Sequence, residues 1–162
     1  MIVVADSSPL HYLVLLEMDQ LLAQLYGRVI VPTVVMSELS HAAAPAAVRE
    51  WVRRPPSWIQ VMETPASVES VTTELDPGER AAIAVAISLS ADLLLIDEAM
   101  GRAEAKRRQL RVTGTLGVLR AGAEKGLVDV ARTVARLKST NFYIEDELLE
   151  AVFGPWLNAP ER

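Results

Sequence analysis

The chain has no cysteine and few of the other residues on which metal or redox sites are often built. It has two histidines among 162 residues, and aromatic residues make up 5%. The absence of cysteine excludes disulfides and thiolate zinc sites and is compatible with a reducing cytoplasm. His11 and His41 lack metal-ligand spacing, so we expect both to be structural or surface residues.

The chain also lacks a long hydrophobic run and an excess of positive charge. Its longest apolar stretch, residues 81–96, is interrupted by Ser88, Ser90 and Asp92, and no basic region precedes the apolar N-terminus. Neither a membrane span nor a signal peptide fits, and we expect a cytoplasmic protein. The net charge of −5 argues against a general nucleic-acid-binding surface.

What is present is a regular alternation of strand and helix patterns. Hydrophobic residues make up 51% of the chain, and no linker or internal repeat divides it, so we expect a single domain over residues 1–162. The pattern predicts an α/β three-layer sandwich with a central parallel sheet flanked by helices. Strands are predicted at residues 2–5, 28–31, 58–62, 93–96 and 110–112, the third of them an edge strand. Helices are predicted at residues 10–17, 19–26, from 33 onward, 48–53, 77–89, 99–109, 115–125, 129–137 and 145–153.

Two aspartates end buried strands of this predicted sheet. Asp6 follows the first strand, before a helix for which Ser8 is the expected cap, and Asp97 follows the strand at residues 93–96. In open parallel sheets the ligand crevice lies outside the carboxyl ends of the strands, near the point where the strand order reverses. Asp6 and Asp97 are therefore candidates for a functional site, although either could instead cap the helix that follows it.

Two glutamates are expected early in helices that point toward the same crevice. Glu38 lies about a turn and a half into a helix that we expect Thr33 to cap, and its side chain leans back toward the helix N-terminus. Glu79 lies in the segment Asp76-Pro-Gly-Glu79, one turn into an alanine-rich helix. This segment also matches a capping box, with aspartate as the cap and glutamate at the third helical position.

Candidate substrate contacts lie after the two strand-end aspartates. Ser7 is next to Asp6, and Arg102 and Lys106 share one face of a basic helix that could guide phosphates toward the site. The same helix could equally be a solvated face. Thr113, Gly114 and Thr115 turn from a strand into a helix, so their amides could hold a phosphate, although a tight structural turn fits as well.

Five segments follow one another in a characteristic order. They are Val3-Val-Ala-Asp-Ser-Ser-Pro-Leu10, Pro32-Thr-Val-Val-Met-Ser-Glu38, Leu75-Asp-Pro-Gly-Glu-Arg-Ala-Ala-Ile-Ala84, Leu94-Leu-Ile-Asp-Glu-Ala-Met-Gly-Arg102 and Val112-Thr-Gly-Thr-Leu-Gly-Val-Leu119. Together they resemble the PIN-domain nucleases, most closely the prokaryotic branch similar to VapC-type toxins of toxin–antitoxin pairs. The resemblance extends through the segment at residues 141–149, and no single motif carries it alone.

The resemblance implies an endoribonuclease that depends on Mg²⁺ or Mn²⁺, forms a homodimer and is silenced by a small antitoxin. It assigns the acidic site to Asp6, Glu38, Glu79 and Asp97, with Glu98 as a possible fifth ligand. Many relatives carry aspartate where Glu79 stands, which changes the reach of the side chain but not its charge. Carboxylates suit this role because Mg²⁺ takes hard oxygen ligands.

Two other kinds of function remain open from the sequence. One is a catalytically silent PIN-like module that binds RNA or protein, which a metal titration and a nuclease assay would distinguish. The other is an aspartyl-phosphate enzyme or receiver domain. It is disfavoured because residues 6–8 lack the second acid of an Asp-x-Asp motif and the last predicted strand has no lysine.

Overall fold

A computed structural model describes residues 1–159 and shows one sheet of five strands, all parallel. The spatial order is β3-β2-β1-β4-β5. The strands are β1 (Val3–Ala5), β2 (Val29–Pro32), β3 (Ile59–Met62), β4 (Leu93–Leu95) and β5 (Val112–Thr113). This sheet confirms the predicted parallel architecture and places β3 at an edge, as expected.

Nine α-helices connect and cover the strands within residues 1–159. A short 3₁₀ turn, Ala66–Ser70, precedes the fifth helix. The helices are α1 (Ser7–Leu15), α2 (Gln20–Tyr26), α3 (Thr33–Leu39), α4 (Ala46–Arg53), α5 (Pro77–Ser88), α6 (Ala99–Arg107), α7 (Thr115–Glu124), α8 (Val130–Lys138) and α9 (Asp146–Leu157).

The two faces of the sheet belong to two hydrophobic cores, as a three-layer sandwich requires. In β1, Val3 and Ala5 pack into the larger core with α1, α2, α7, α8 and α9, whereas Val4 packs into the smaller core with α5 and α6. Leu94 and Leu95 divide between the same two cores. Successive side chains of a strand point to opposite faces, so these short apolar runs are buried on both sides.

The strand order reverses between β1 and β4, and this pair of strands sets the geometry of the candidate site. Val3, Val4 and Ala5 lie opposite Leu93, Leu94 and Leu95. The amide of Asp6 also donates to the carbonyl of Leu95, at 2.9 Å. Asp6 and Asp97 consequently emerge from adjacent strands at the same edge of the sheet, where open parallel sheets form their ligand crevices.

Several helix boundaries differ from the expected ones. Helix α1 begins at Ser7 directly after the strand, with Asp6 in the N-cap position, so the expectation that Ser8 caps it is wrong. The cap position of α3 is Pro32 rather than Thr33. Helix α3 has only seven residues, and Glu38 is therefore near its end rather than early in it. Helix α9 continues through Pro155 and ends at Leu157, four residues beyond the predicted end at residue 153.

Among residues 1–159, no helix combines the length and the apolar character needed to cross a bilayer. This agrees with the interrupted apolar run noted in the sequence.

Candidate acidic site at the carboxyl edge of the sheet

Asp6 is a nearly inaccessible carboxyl group with an unsatisfied oxygen. Only 2% of the residue is exposed, and no hydrogen-bond partner reaches its Oδ1. Burial and, to a smaller extent, the charges of Asp76, Glu38 and Asp97 together raise the pKa of Asp6 to about 7, against the opposing hydrogen bond from the Ser7 backbone. A buried oxygen without a partner costs free energy, so Asp6 is a site that a cation would stabilise.

Glu38 reaches from the end of α3 to the first turn of α5. The backbone amide of Gly78 donates to its Oε1 at 2.9 Å, and the positive end of a helix favours such a negative charge. Burial raises the pKa of Glu38, as does the charge of Asp76, while the hydroxyl of Ser7 and the amide of Gly78 oppose this. This bond therefore holds Glu38 at the edge where β1 and β4 end.

Glu79 occupies the third position of α5 and is 6% exposed. Its amide donates to Oδ1 of Asp76 at 2.8 Å, which confirms the aspartate half of the predicted capping box. The Glu79 side chain faces inward, where its Oε2 has no hydrogen-bond partner. Burial raises the pKa of Glu79, with further increases from a hydrogen bond shared with Asp76 and from the charges of Asp76, Asp6 and Glu98.

Asp97 differs from the other acids because its carboxylate is already well coordinated by protein donors. Its Oδ1 accepts from the Thr115 amide at 2.7 Å, and its Oδ2 accepts from the hydroxyls of Ser8 at 2.8 Å and Thr115 at 2.7 Å. Asp97 thus forms hydrogen bonds with the first turn of α7 rather than with α6, the helix that follows it in sequence. A carboxylate has about four acceptor positions, so these three bonds leave room for one more partner.

Two further acids contribute charge without being buried. Glu98 is exposed in the N-cap position of α6, and its charge raises the pKa of Glu79. Asp76 is an exposed residue for which the sequence indicated only a capping role, yet its charge also acts on Asp6 and Glu38. The sequence could have indicated this second role of Asp76, because the capping residue of a helix that points at a crevice must itself lie beside that crevice.

Three glycines stand directly behind three of the site carboxylates. A Cβ at Gly78 would overlap the Glu38 carboxylate, and a Cβ at Gly114 would overlap Oδ1 of Asp97. At Gly101 the added carbon would lie 2.6 Å from Oε2 of Glu79. In each case the missing side chain gives a carboxylate the space it occupies, so small residues help to decide where the acids lie.

The predicted substrate contacts fall into two groups. Ser7 lines a smaller cavity of about 390 Å³ together with Glu38. Arg102, Lys106, Thr113 and Gly114 line one cavity with Asp97, which is about 730 Å³ in volume. The amide of Thr115 is occupied by Asp97 and is therefore closed to a phosphate. Within the basic segment that follows Asp97, Arg107 and Arg108 pair with Glu104, at 2.7 and 3.2 Å.

The donors of the candidate site meet some, but not all, of the requirements for binding a divalent metal. Its donors are carboxylate oxygens, which hard cations prefer, and Asp6 and Glu79 each contribute a buried oxygen without a partner. Within residues 1–159, however, no three Asp, Glu or His side chains already surround a common point at which they could hold an ion. The donors fit a metal in type and charge, but they are not arranged as a finished coordination shell.

The structure is a doubly wound α/β fold with acids at the strand-order reversal, where folds of this class bind their ligands. Within that class, the family model described as a PIN domain matches residues 2–156, and the chain therefore belongs to the PIN-domain family. PIN domains are generally nucleases that use divalent metal ions. A comparison with curated proteins found no match.

The contact between Gly78 and Glu38 makes a prediction about stability. We expect the effect of Gly78→Ala on the free energy of unfolding to be about 1–2 kcal/mol more favourable in the Glu38→Ala variant than in the wild type. In the wild type the added Cβ displaces the Glu38 carboxylate from its charge-assisted hydrogen bond, whereas in Glu38→Ala there is no carboxylate to displace. Gly78 does not have a positive φ, so alanine fits its backbone. Urea unfolding of the four proteins measures this coupling, and additive effects would contradict it.

The buried charge of Asp6 makes a second prediction. Its pKa is about 7 in the folded protein, above the ordinary value of 3.8 that we expect in the unfolded chain, so stability falls as pH rises from about 4 to 7. We expect Asp6→Asn to stabilise the metal-free protein at pH 8 by on the order of 2–4 kcal/mol more than at pH 4. Unfolding in EDTA at both pH values checks this, with the exposed Asp146→Asn as the matched control. An equal effect of Asp6→Asn at the two pH values would contradict it.

Proposed function

We propose that the protein is an endoribonuclease that uses Mg²⁺ or Mn²⁺ to hydrolyse RNA phosphodiester bonds. The observation that carries this proposal is the pair of buried carboxylate oxygens without partners, on Asp6 and Glu79, in a family whose members are generally metal-dependent nucleases. A structural ion pair or a capping role would have supplied these oxygens with donors. A bound cation supplies the missing partner.

The proposed ligands are Asp6, Glu38, Glu79 and Asp97, with Glu98 as a possible fifth. A divalent ion held there would lower the pKa of a bound water and neutralise charge on the phosphate. The protein's part is to hold the carboxylates in place. Gly78 fixes Glu38 through its amide, and the capping bond from Glu79 to Asp76 fixes the start of α5.

Repulsion among the acids also favours the binding of a cation. Each of Asp6, Glu38 and Glu79 has a raised pKa, with the charge of at least one neighbouring acid among the causes. Binding a cation removes that repulsion and favours the charged form of each carboxylate. We therefore expect the protein to release protons when it binds the metal near pH 7.

Positive side chains beside Asp97 provide a place for the RNA backbone. Arg102 and Lys106 line the larger cavity together with Asp97, whereas Arg107 and Arg108 are paired with Glu104. The guanidinium of Arg102 also donates to the carbonyl of Ile96 at 3.3 Å, which orients it toward the end of β4. These two residues are the proposed phosphate contacts, and Ser7, which lies beside Glu38, is a further candidate contact with the substrate.

The resemblance to VapC-type toxins extends the proposal to the biological setting. It supports a cytoplasmic toxin of a toxin–antitoxin pair that forms a homodimer and is inhibited by a small antitoxin protein. The basis for this part is the order of the five sequence segments, from residues 3–10 to residues 112–119. A neighbouring reading frame that encodes a small basic or DNA-binding partner would support it.

A second candidate function is a PIN-like module that binds RNA or protein without cleaving RNA. Two observations favour it. Within the described part of the chain, no three potential ligands already surround one point, and the Asp97 carboxylate has three protein donors. The ribonuclease proposal requires the carboxylates to turn toward an ion, and the silent module does not.

Cleavage of RNA with and without metal separates the two candidates. We expect Mg²⁺- or Mn²⁺-dependent cleavage of single-stranded RNA that EDTA abolishes and that Asp6→Asn reduces about 100-fold or more, because the metal loses a charged ligand. Asp146→Asn is the control, since it removes an exposed carboxylate outside the site. RNA binding without cleavage would support the silent module, and cleavage that survives both EDTA and Asp6→Asn would overturn the metal mechanism.

The basic side of the larger cavity is tested by charge reversal. We expect Lys106→Glu to weaken RNA binding and to lower the slope of log affinity against log salt by about 0.7 for each phosphate contact that is lost. Lys125→Glu makes the same charge change at the exposed end of α7 and is the matched control. Affinity measured by fluorescence anisotropy over a range of salt concentrations gives the slope. Equal slopes for both variants would remove Lys106 from the interface.

A further inference from the structure

The two histidines of the chain line the same cavity, although 30 positions separate them in the sequence. This cavity, the histidine cavity, has a volume of about 390 Å³ and lies between α1 and the loop that follows α3. Its polar lining includes Ser8, His11, Tyr12, Glu38, His41 and Asn141. Because Glu38 belongs to the acidic site, the cavity opens directly beside the proposed position of the reacting phosphate.

The charge of the lining argues against a phosphate as the occupant. No lysine or arginine is found among the described residues that line the histidine cavity, and Glu38 contributes a carboxylate. The larger cavity on the other side of the site contains Arg102 and Lys106. A phosphate is therefore favoured on the Asp97 side, and an uncharged group is favoured on the Glu38 side.

The hydrogen-bonding groups of the histidine cavity suit a polar heterocycle. Nδ1 of His41 accepts from the Ala43 amide at 3.1 Å, so the neutral ring carries its proton on Nε2 and is a donor there. The hydroxyl of Tyr12 donates to Oδ1 of Asn141 at 2.8 Å, which leaves the Asn141 amide nitrogen to donate to a ligand. Burial lowers the pKa of His11, which favours the neutral form of this ring.

Flat aromatic surface is available in the same place. The rings of His11 and Tyr12 meet edge to face with centroids 4.8 Å apart, and Tyr12 meets Phe142 in the same way at 4.8 Å. Contacts of this kind hold the rings in fixed orientations. Aromatic and imidazole rings are also the surfaces on which unpaired RNA bases stack.

We propose that the histidine cavity is a subsite for one nucleobase of the RNA, next to the phosphodiester bond that is cleaved. This inference rests on the proposed ribonuclease function for the identity of the substrate. It assigns His11 and Tyr12 to the ring surface, and it assigns His41 and Asn141 to hydrogen bonds with the edge of the base. The volume lies within the range of pockets that hold small organic ligands.

The test uses the whole metal-free protein in EDTA and small probes that separate base from phosphate. The Cε1 protons of the two histidines give two resonances in proton NMR, which His11→Gln and His41→Gln assign. We expect at least one of the four common ribonucleosides to shift both resonances saturably, while ribose 5-phosphate shifts neither. The corresponding nucleoside 5′-monophosphate should bind no more tightly than the nucleoside, because Glu38 repels the phosphate.

The variants supply a second measurement. We expect His41→Phe to weaken nucleoside binding about tenfold, because phenylalanine keeps a flat ring but has no Nε2 donor for the base. Tyr26→Phe alters an aromatic residue of α2 that lines neither cavity, so it should leave nucleoside affinity unchanged.

Two results would overturn the inference. One is the absence of a histidine shift with any nucleoside up to its solubility limit, and the other is an equal shift with ribose 5-phosphate. RNA cleavage by the same protein, measured with metal, distinguishes the two proposals. Cleavage without nucleoside binding refutes only the base subsite, whereas nucleoside binding without cleavage supports the subsite and refutes the ribonuclease.

Discussion

The candidate site depends on the parallel pairing of β1 with β4. These strands are only three residues long, yet they lie in register, and the Asp6 amide extends the ladder to the carbonyl of Leu95. A slip by one residue would turn every side chain of the strand to the opposite face, so the buried valines and leucines fix the register. Asp6 and Asp97 emerge where these buried strands stop, which couples the position of the acids to the packing of both cores.

The remaining acids are positioned by the first turn of α5 rather than by the sheet. This turn begins at the capping side chain of Asp76, binds Glu38 through the Gly78 amide, and directs Glu79 inward. The arrangement concentrates negative charge in a partly buried volume, where each carboxylate raises the free energy of the next. Such a group of like charges lowers the stability of the metal-free fold, and the cost is understandable if the acids bind a cation.

The sequence predicted the elements that depend on local pattern. The strand runs before Asp6 and Asp97 and the Asp76 cap of α5 could be identified because strand burial and capping are written in neighbouring residues. The contacts made over long separations were not predictable. Asp97 bonds to Ser8 and Thr115, and the two histidines meet at one cavity only after α3 turns back toward α1. Helix α3 also ended sooner than expected, which moved Glu38 to a helix end.

The two strand-end aspartates differ in their structural roles, because Asp97 accepts hydrogen bonds from two other segments and Asp6 has a buried oxygen without a partner. Asp97 lies 89 positions after Ser8 and 18 positions before Thr115, so its hydrogen bonds tie α1 to α7. Asp6 joins nothing through its buried Oδ1. Changes at Asp97 therefore alter chemistry and architecture together, and their phenotypes cannot be ascribed to either one. An inactive but well-folded form of the protein, such as one needed to trap a bound nucleic acid, should be made at Asp6.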